Sequence, residues 1–221
     1  MSPRTRARFR AAVAVIAPAV LLAGFLYHPY VASPTDESAL AAAIASNTTR
    51  WGLSHLAIGI GYGLTVLAFV AIRSYLREAG EERWSALALP FIVVGCSLFT
   101  ILTGMEFAPL AAAETGGNVE AAQSELTPWF VPILVTGAVS FTLGALGYAM
   151  GILRSDLLNT QLTPLVFGSL VVMAAARFVP LGAAQYVIGV AGVVALWPLA
   201  YEMWKHPEAQ LGGQRRSVPA N

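Results

Sequence analysis

Residues 53–75, LSHLAIGIGYGLTVLAFVAIRSY, decide the architecture. From Leu56 to Ile72 they hold 17 consecutive positions without an acid, a guanidinium, an ammonium or an imidazole. About 20 predominantly apolar residues carry an α-helix across the hydrocarbon core of a bilayer. The run is continuously apolar, whereas a strand of a membrane barrel alternates over about 10 residues. It reads as a membrane-spanning helix.

Five further stretches have the same character: 11–30, 85–109, 129–153, 164–181 and 183–204. They predict an all-α integral membrane protein, a six-helix transmembrane bundle over 11–204 with no separate soluble domain. A basic segment, 1–10, precedes it. A polar tail, 205–221, follows it and reads as disordered. Composition agrees. The chain is 57% hydrophobic and 11% charged, against about 25% charged in a soluble domain. Such a chain cannot cover a water-facing surface, so its first partner is the lipid bilayer. A net charge of +1 offers nothing to nucleic acid, which is not expected as a partner. Cys96 is the one cysteine, so an intrachain disulfide and a cysteine-based metal site are excluded. No phosphate loop, HExxH or nucleophile elbow is present.

Lysine and arginine accumulate on the cytoplasmic side of membrane proteins. With the N-terminus inside, Arg4, Arg6, Arg8, Arg10, Arg73, Arg77, Arg83, Arg154, Lys205, Arg215 and Arg216 fall inside. Arg50 and Arg177 fall outside, giving 11 against 2. The bias predicts a plasma-membrane protein with both ends in the cytoplasm, and it favours an even number of spans. The first stretch has a second reading, as a signal peptide cleaved after Val31-Ala32-Ser33. Bulky Tyr27, His28, Pro29 and Tyr30 beside that site argue against cleavage.

The outer connections predict short interfacial helices. Residues 34–51 open on a Thr35/Asp36 cap signal and continue Ala-rich. Residues 110–128 are similar, with a break at Gly116-Gly117. Either pair of segments forms a lid on the bundle or serves as solvated connections. The inner connections, 77–84 and 154–163, read as plain hairpin turns.

Helices in lipid touch where their side chains are small. Gly59, Gly61 and Gly63, then Gly137, Ser140, Gly144, Gly147 and Gly151, then Gly189 and Gly192 mark such faces. Pro90, Pro132, Pro164 and Pro198 are expected near helix ends, where the missing N–H costs least. Trp51, Trp84, Trp129, Trp197 and Trp204 suit the membrane interface. A short pattern repeats at three outward ends: Tyr27-His28-Pro29, Glu106-Phe107-Ala108-Pro109 and Arg177-Phe178-Val179-Pro180.

Six consecutive antiparallel spans bring His28, His55, Glu106, Arg177 and Gln185 to one depth, near the outer ends. Tyr62 shares a face with His55 and Gly59 by i, i+4, i+7 spacing. Charges in membrane segments are costly, so they face the bundle interior and pair. The plain structural reading is a Glu106–Arg177 salt bridge, with both histidines hydrogen-bonded locally or Arg177 snorkelling to the surface. The leading functional reading is a pocket for a small anionic or amphipathic ligand. Arg177 would hold the anion, with His28, His55, Gln185 and Tyr62 as polar contacts. The alternative is a haem- or metal-binding membrane enzyme. There His28 and His55 serve a haem, or His28, His55 and Glu106 a divalent metal. A small proton-coupled transporter using Glu106 is a third reading, and its inner half lacks a polar path. A membrane-protein partner or a homo-oligomer is compatible with all of these.

Overall fold

A computed structural model of the chain describes residues 2–33 and 36–205. Thr35, His206 and the tail with Gly212 and Gly213 lie outside the described residues, and with them the expectation of disorder there. The fold is all-helical, 86% helix and without strands among the described residues. Five helices are long and apolar enough to cross a membrane.

The elements run in order α1 (Pro3–Tyr27), α2 (Glu37–Ser46), α3 (Thr48–Glu78), α4 (Arg83–Met105), α5 (Phe107–Thr115), α6 (Val119–Arg154), α7 (Leu162–Ala175), a 3₁₀ turn (Ala176–Phe178) and α8 (Ala184–Lys205). The long helices are apolar all round. On α3 the buried face carries Ile58, Tyr62, Thr65, Phe69 and Ile72, and the exposed face carries Leu53, Leu56, Ile60, Leu67 and Val70. A helix without a polar face belongs in a core or a membrane.

Neighbours in sequence are neighbours in space. α1 packs on α3, α3 on α4, α4 on α6, α6 on α7, α7 on α8, and α8 returns to α1. The six form a closed ring in chain order. The short helices α2 and α5 cover one end, termed here the lid end. They share a second small core of Val31, Leu40, Ile44, Trp51 and Leu110. The expected Ala-rich helix after Asp36 is therefore present as α2. The Asp36 carboxylate accepts the Ala39 amide at 3.0 Å. This bond and the Ser38 hydroxyl hold that carboxyl below its ordinary range. The 110–128 connection differs from expectation. Its first part belongs to α5, the break falls at Gly116 (φ 76°), and everything from Val119 onward is the opening of α6.

The glycine faces are packing faces. A Cβ at Gly61 would meet the Leu21 backbone on α1, and one at Gly189 would meet Leu22. Gly144 and Gly147 admit Ile92 and Ala88 of α4. Gly63 is different, with open space beside it. The prolines correct the expectation. Pro90, Pro132 and Pro198 lie inside α4, α6 and α8, as do Pro18 in α1 and Pro128 in α6. Of the four expected near helix ends, Pro164 alone sits in a first turn. Pro109 does act as a breaker. Its ring clashes with the carbonyl four residues back, and the helix parts at Met105–Glu106.

The predicted fifth stretch is the shortest wall. α7 has 14 residues and the 3₁₀ turn 3, together Leu162–Phe178. The residue before Pro180, Val179, is extended (φ −92°, ψ 113°), as the proline ring requires. Away from the lid, the interior is solid. The Tyr148 hydroxyl donates to the Phe69 carbonyl at 2.9 Å, with both rings fully buried. Tyr148→Phe keeps the shape and deletes this bond, so it should cost about 1 kcal/mol. A lower melting temperature in detergent would register it.

Candidate functional site

A cavity of about 390 Å³ opens beneath the lid. Its lining comes from the lid-side halves of α1, α3, α4 and α6, from the 3₁₀ turn with residues 179–181, and from the start of α8. His28, His55, Tyr62, Glu106, Arg177 and Gln185 all line it. The ring topology explains this convergence. Every second helix ends at the lid and every next one begins there, so end residues far apart in sequence share one depth.

Three aromatic rings form one wall. His28 and His55 meet edge to face at 4.9 Å between centroids, and Trp51 lies against both at 4.7 and 4.6 Å. His55 Nδ1 bonds to the Trp51 carbonyl at 2.9 Å, one helical turn back. Arg50 donates to the Tyr27 carbonyl at 2.6 Å and ties α3 to the end of α1. This geometry does not fit the cofactor readings. Two axial ligands need a porphyrin plane between their rings, and rings in edge contact leave no room for one. His28, His55 and Glu106 do not form a metal triad either. Among the described residues no three His, Cys, Asp or Glu gather closely enough to hold an ion.

Glu106 is 7% exposed, at the break between α4 and α5. Its Oε1 accepts from Gln123 Nε2 at 3.4 Å, and its Oε2 has no partner. The salt bridge to Arg177 does not form. Arg177 neither pairs with an acid nor snorkels to the surface. Its guanidinium carbon lies 3.8 Å from the Phe141 ring centroid, 4.4 Å from Phe99 and 5.5 Å from Tyr62. Nη1 donates to the Tyr62 hydroxyl at 3.2 Å. Nε and Nη2 are buried and have no partner. Tyr62 is near the midpoint of α3, and Phe141 is past the midpoint of α6. The sequence places Arg177 at an outer helix end. The fold turns its side chain inward, to mid-height of the bundle.

No protein-family model, curated protein or solved structure matches this chain. Its chemistry must be read from the cavity itself.

That cavity is mostly apolar. Phe25, Ile58, Leu102, Phe130 and Leu134 supply much of its wall. Gln185 and Tyr62 add polar atoms. Trp51, Gln123, Phe99 and Phe141 did not stand out in the sequence as site residues. Trp51 looked like an interfacial anchor, yet it is 1% exposed and its Nε1 has no partner. Its i, i+4 spacing to His55 was the available signal. Gln123 falls in a stretch whose polarity is that of a connection. Phe99 and Phe141 were indistinguishable from other core aromatics. The strand of chain after Pro180 is pinned where Gly182 N donates to the Ala32 carbonyl at 2.9 Å. A Cβ on Gly182 would collide with the Val31 carbonyl.

Proposed function

We propose that the chain spans a plasma membrane six times, with both ends in the cytoplasm, and that its outward-facing pocket binds a small anionic amphiphile. The observation that carries the binding proposal is the guanidinium of Arg177. It is always charged, sits at mid-height in an apolar bundle, and carries two buried nitrogens without a partner on a side chain that lines the cavity. A buried charge without a counter-ion is expensive. An occupant that supplies acceptor oxygens to Nε and Nη2 and hydrocarbon to Phe25, Ile58 and Leu134 offsets that cost. Binding an amphiphile is the reading; transport is disfavoured by the solid half of the bundle below Phe141.

Six spans are supported by the ring, in which the α7 unit is one of six walls. Its 17 residues rise about 25 Å at about 1.5 Å each, slightly less than a core of about 30 Å, a mismatch that local thinning absorbs. The basic residues supply the orientation.

Two measurements test these statements. In a Cys96→Ser background on intact cells, a membrane-impermeant maleimide should label Gly117→Cys and Leu181→Cys and spare Gly80→Cys and Asp156→Cys. Labelling of Leu181→Cys and Asp156→Cys from the same side would remove the α7 unit as a span. Labelling of Gly80→Cys and Asp156→Cys, with Gly117→Cys and Leu181→Cys spared, would reverse the orientation. For the ligand, hexadecyl phosphate should raise the melting temperature of the protein in a nonionic detergent, and hexadecanol should not. Equal shifts with both would sink the anion requirement.

A further inference from the structure

We propose that the pocket selects a zwitterion, an amphiphile whose anionic group meets Arg177 and whose ammonium meets Glu106, as in a phosphoethanolamine head group. This rests on the pocket reading above and names its ligand class.

The cavity has two polar corners of opposite kind. At one, every unpartnered atom is a donor: Arg177 Nε and Nη2. At the other, the unpartnered atom is an acceptor, Glu106 Oε2, on a carboxyl that is more than nine-tenths buried and lines the cavity. The two corners would satisfy each other, yet they are held apart. Arg177 is fixed to the aromatic floor by Phe141, Phe99 and the Tyr62 hydroxyl. Glu106 is held near the lid by Gln123, whose own Oε1 also lacks a partner. A purely anionic ligand answers the first corner and leaves the second empty. It would also bring its charge toward a carboxyl. An ammonium has three donors and no acceptor, which matches an acceptor-only corner. Joining it to a phosphate by a short linker satisfies both corners. The apolar wall of Phe25, Ile58, Phe130 and Leu134 then accepts a hydrocarbon chain.

The full-length protein in nonionic detergent would be titrated with three probes: lysophosphatidylethanolamine, lysophosphatidic acid and O-phosphoethanolamine. The wild type should bind the first roughly tenfold or more tighter than the second, the range of a charge-assisted hydrogen bond. Glu106→Gln should erase that preference and leave lysophosphatidic acid bound within a few-fold of wild type. Equal or tighter binding of lysophosphatidic acid by the wild type overturns the zwitterion and leaves the anionic pocket standing. A preference that survives Glu106→Gln overturns the assignment to Glu106. Binding of neither lipid overturns the pocket reading itself. O-phosphoethanolamine binding as tightly as its lipid counterpart would uphold the zwitterion and assign the natural source to a free head group. The wild-type comparison needs no variant, so a poorly folding Glu106→Gln cannot mask the result.

Discussion

Arg177→Met should lower the affinity for an alkyl phosphate by roughly 100-fold while raising the melting temperature of the ligand-free protein. The two effects have one cause. The guanidinium lies among Phe141, Phe99 and Tyr62, with two buried N–H groups unpaired. Replacing a buried ionic group by a packed apolar one is often neutral or stabilising by about 1–4 kcal/mol. Methionine keeps the unbranched stem on the aromatic floor and removes the charge. In a chain of this size such a gain corresponds to a rise of roughly 3–10 °C. Among the described residues the ligand loses the one lysine or arginine on the cavity wall, whose other polar members are a Glu, two His, a Tyr, a Trp, a Thr and a Gln. Arg177→Lys should fall between, since it restores charge without the two-pronged donor geometry. A structural arginine behaves in the opposite way. A lower melting temperature for Arg177→Met, with ligand affinity unchanged, would place the residue in the scaffold and remove it from the site.

Gly95→Val should be strongly destructive to the bundle. A Cβ at Gly95 falls 2.7 Å from the Phe141 backbone nitrogen and 2.9 Å from its Cα. The obstacle is main chain, which cannot rotate aside, so α4 and α6 must separate. Overpacking costs about 1–3 kcal/mol where side chains can adjust and more where they cannot. A loss of roughly 5–10 °C in melting temperature is expected, or failure to accumulate in the membrane. The ligand site suffers with it, because Phe141 is the floor beneath Arg177. Gly63→Ala is the matched control. It has open space beside it and gains about 1 kcal/mol of helix propensity, so it should be neutral or stabilising. If Gly95→Val is as well tolerated as Gly63→Ala, the α4–α6 contact is looser than the close approach of Gly95 implies.

The contrast between these residues shows what the sequence carries and what it withholds. Apolar length is a local property, so the stretches around Leu56–Ile72 and their neighbours were legible directly. Consecutive antiparallel packing then put His28, His55, Tyr62, Glu106, Arg177 and Gln185 at one cavity, from topology alone. Side-chain direction was not legible. Whether Arg177 reaches up or down depends on Phe99 and Phe141, which come from two other helices and carry no signal of their own. The place of a proline along its helix is hidden in the sequence for a related reason. Inside a bundle, neighbouring helices hold a bent span in place, so Pro90, Pro132 and Pro198 interrupt nothing. Pro109 did break its helix, because the chain there emerges from the bundle. The Glu106–Gln123 bond was out of reach because residues 119–128 carry the polarity of a connection while continuing α6 as regular helix.

The order of the ring sets a birth order for the protein. Five of its six contacts join consecutive ring helices, so each can form as soon as its second helix is present. The sixth joins the first helix to the last, through the close approach of Gly189 to Leu22 and the Trp197 indole bonded to the Val15 carbonyl. Without Ala184–Lys205 the ring is open between α7 and α1, and the cavity lacks the wall that α8 supplies. The same 22 residues bring Gln185 and Ile188 to the cavity wall. The site is therefore assembled only when the ring closes, and a chain in which α8 cannot reach α1 lacks one wall of the cavity.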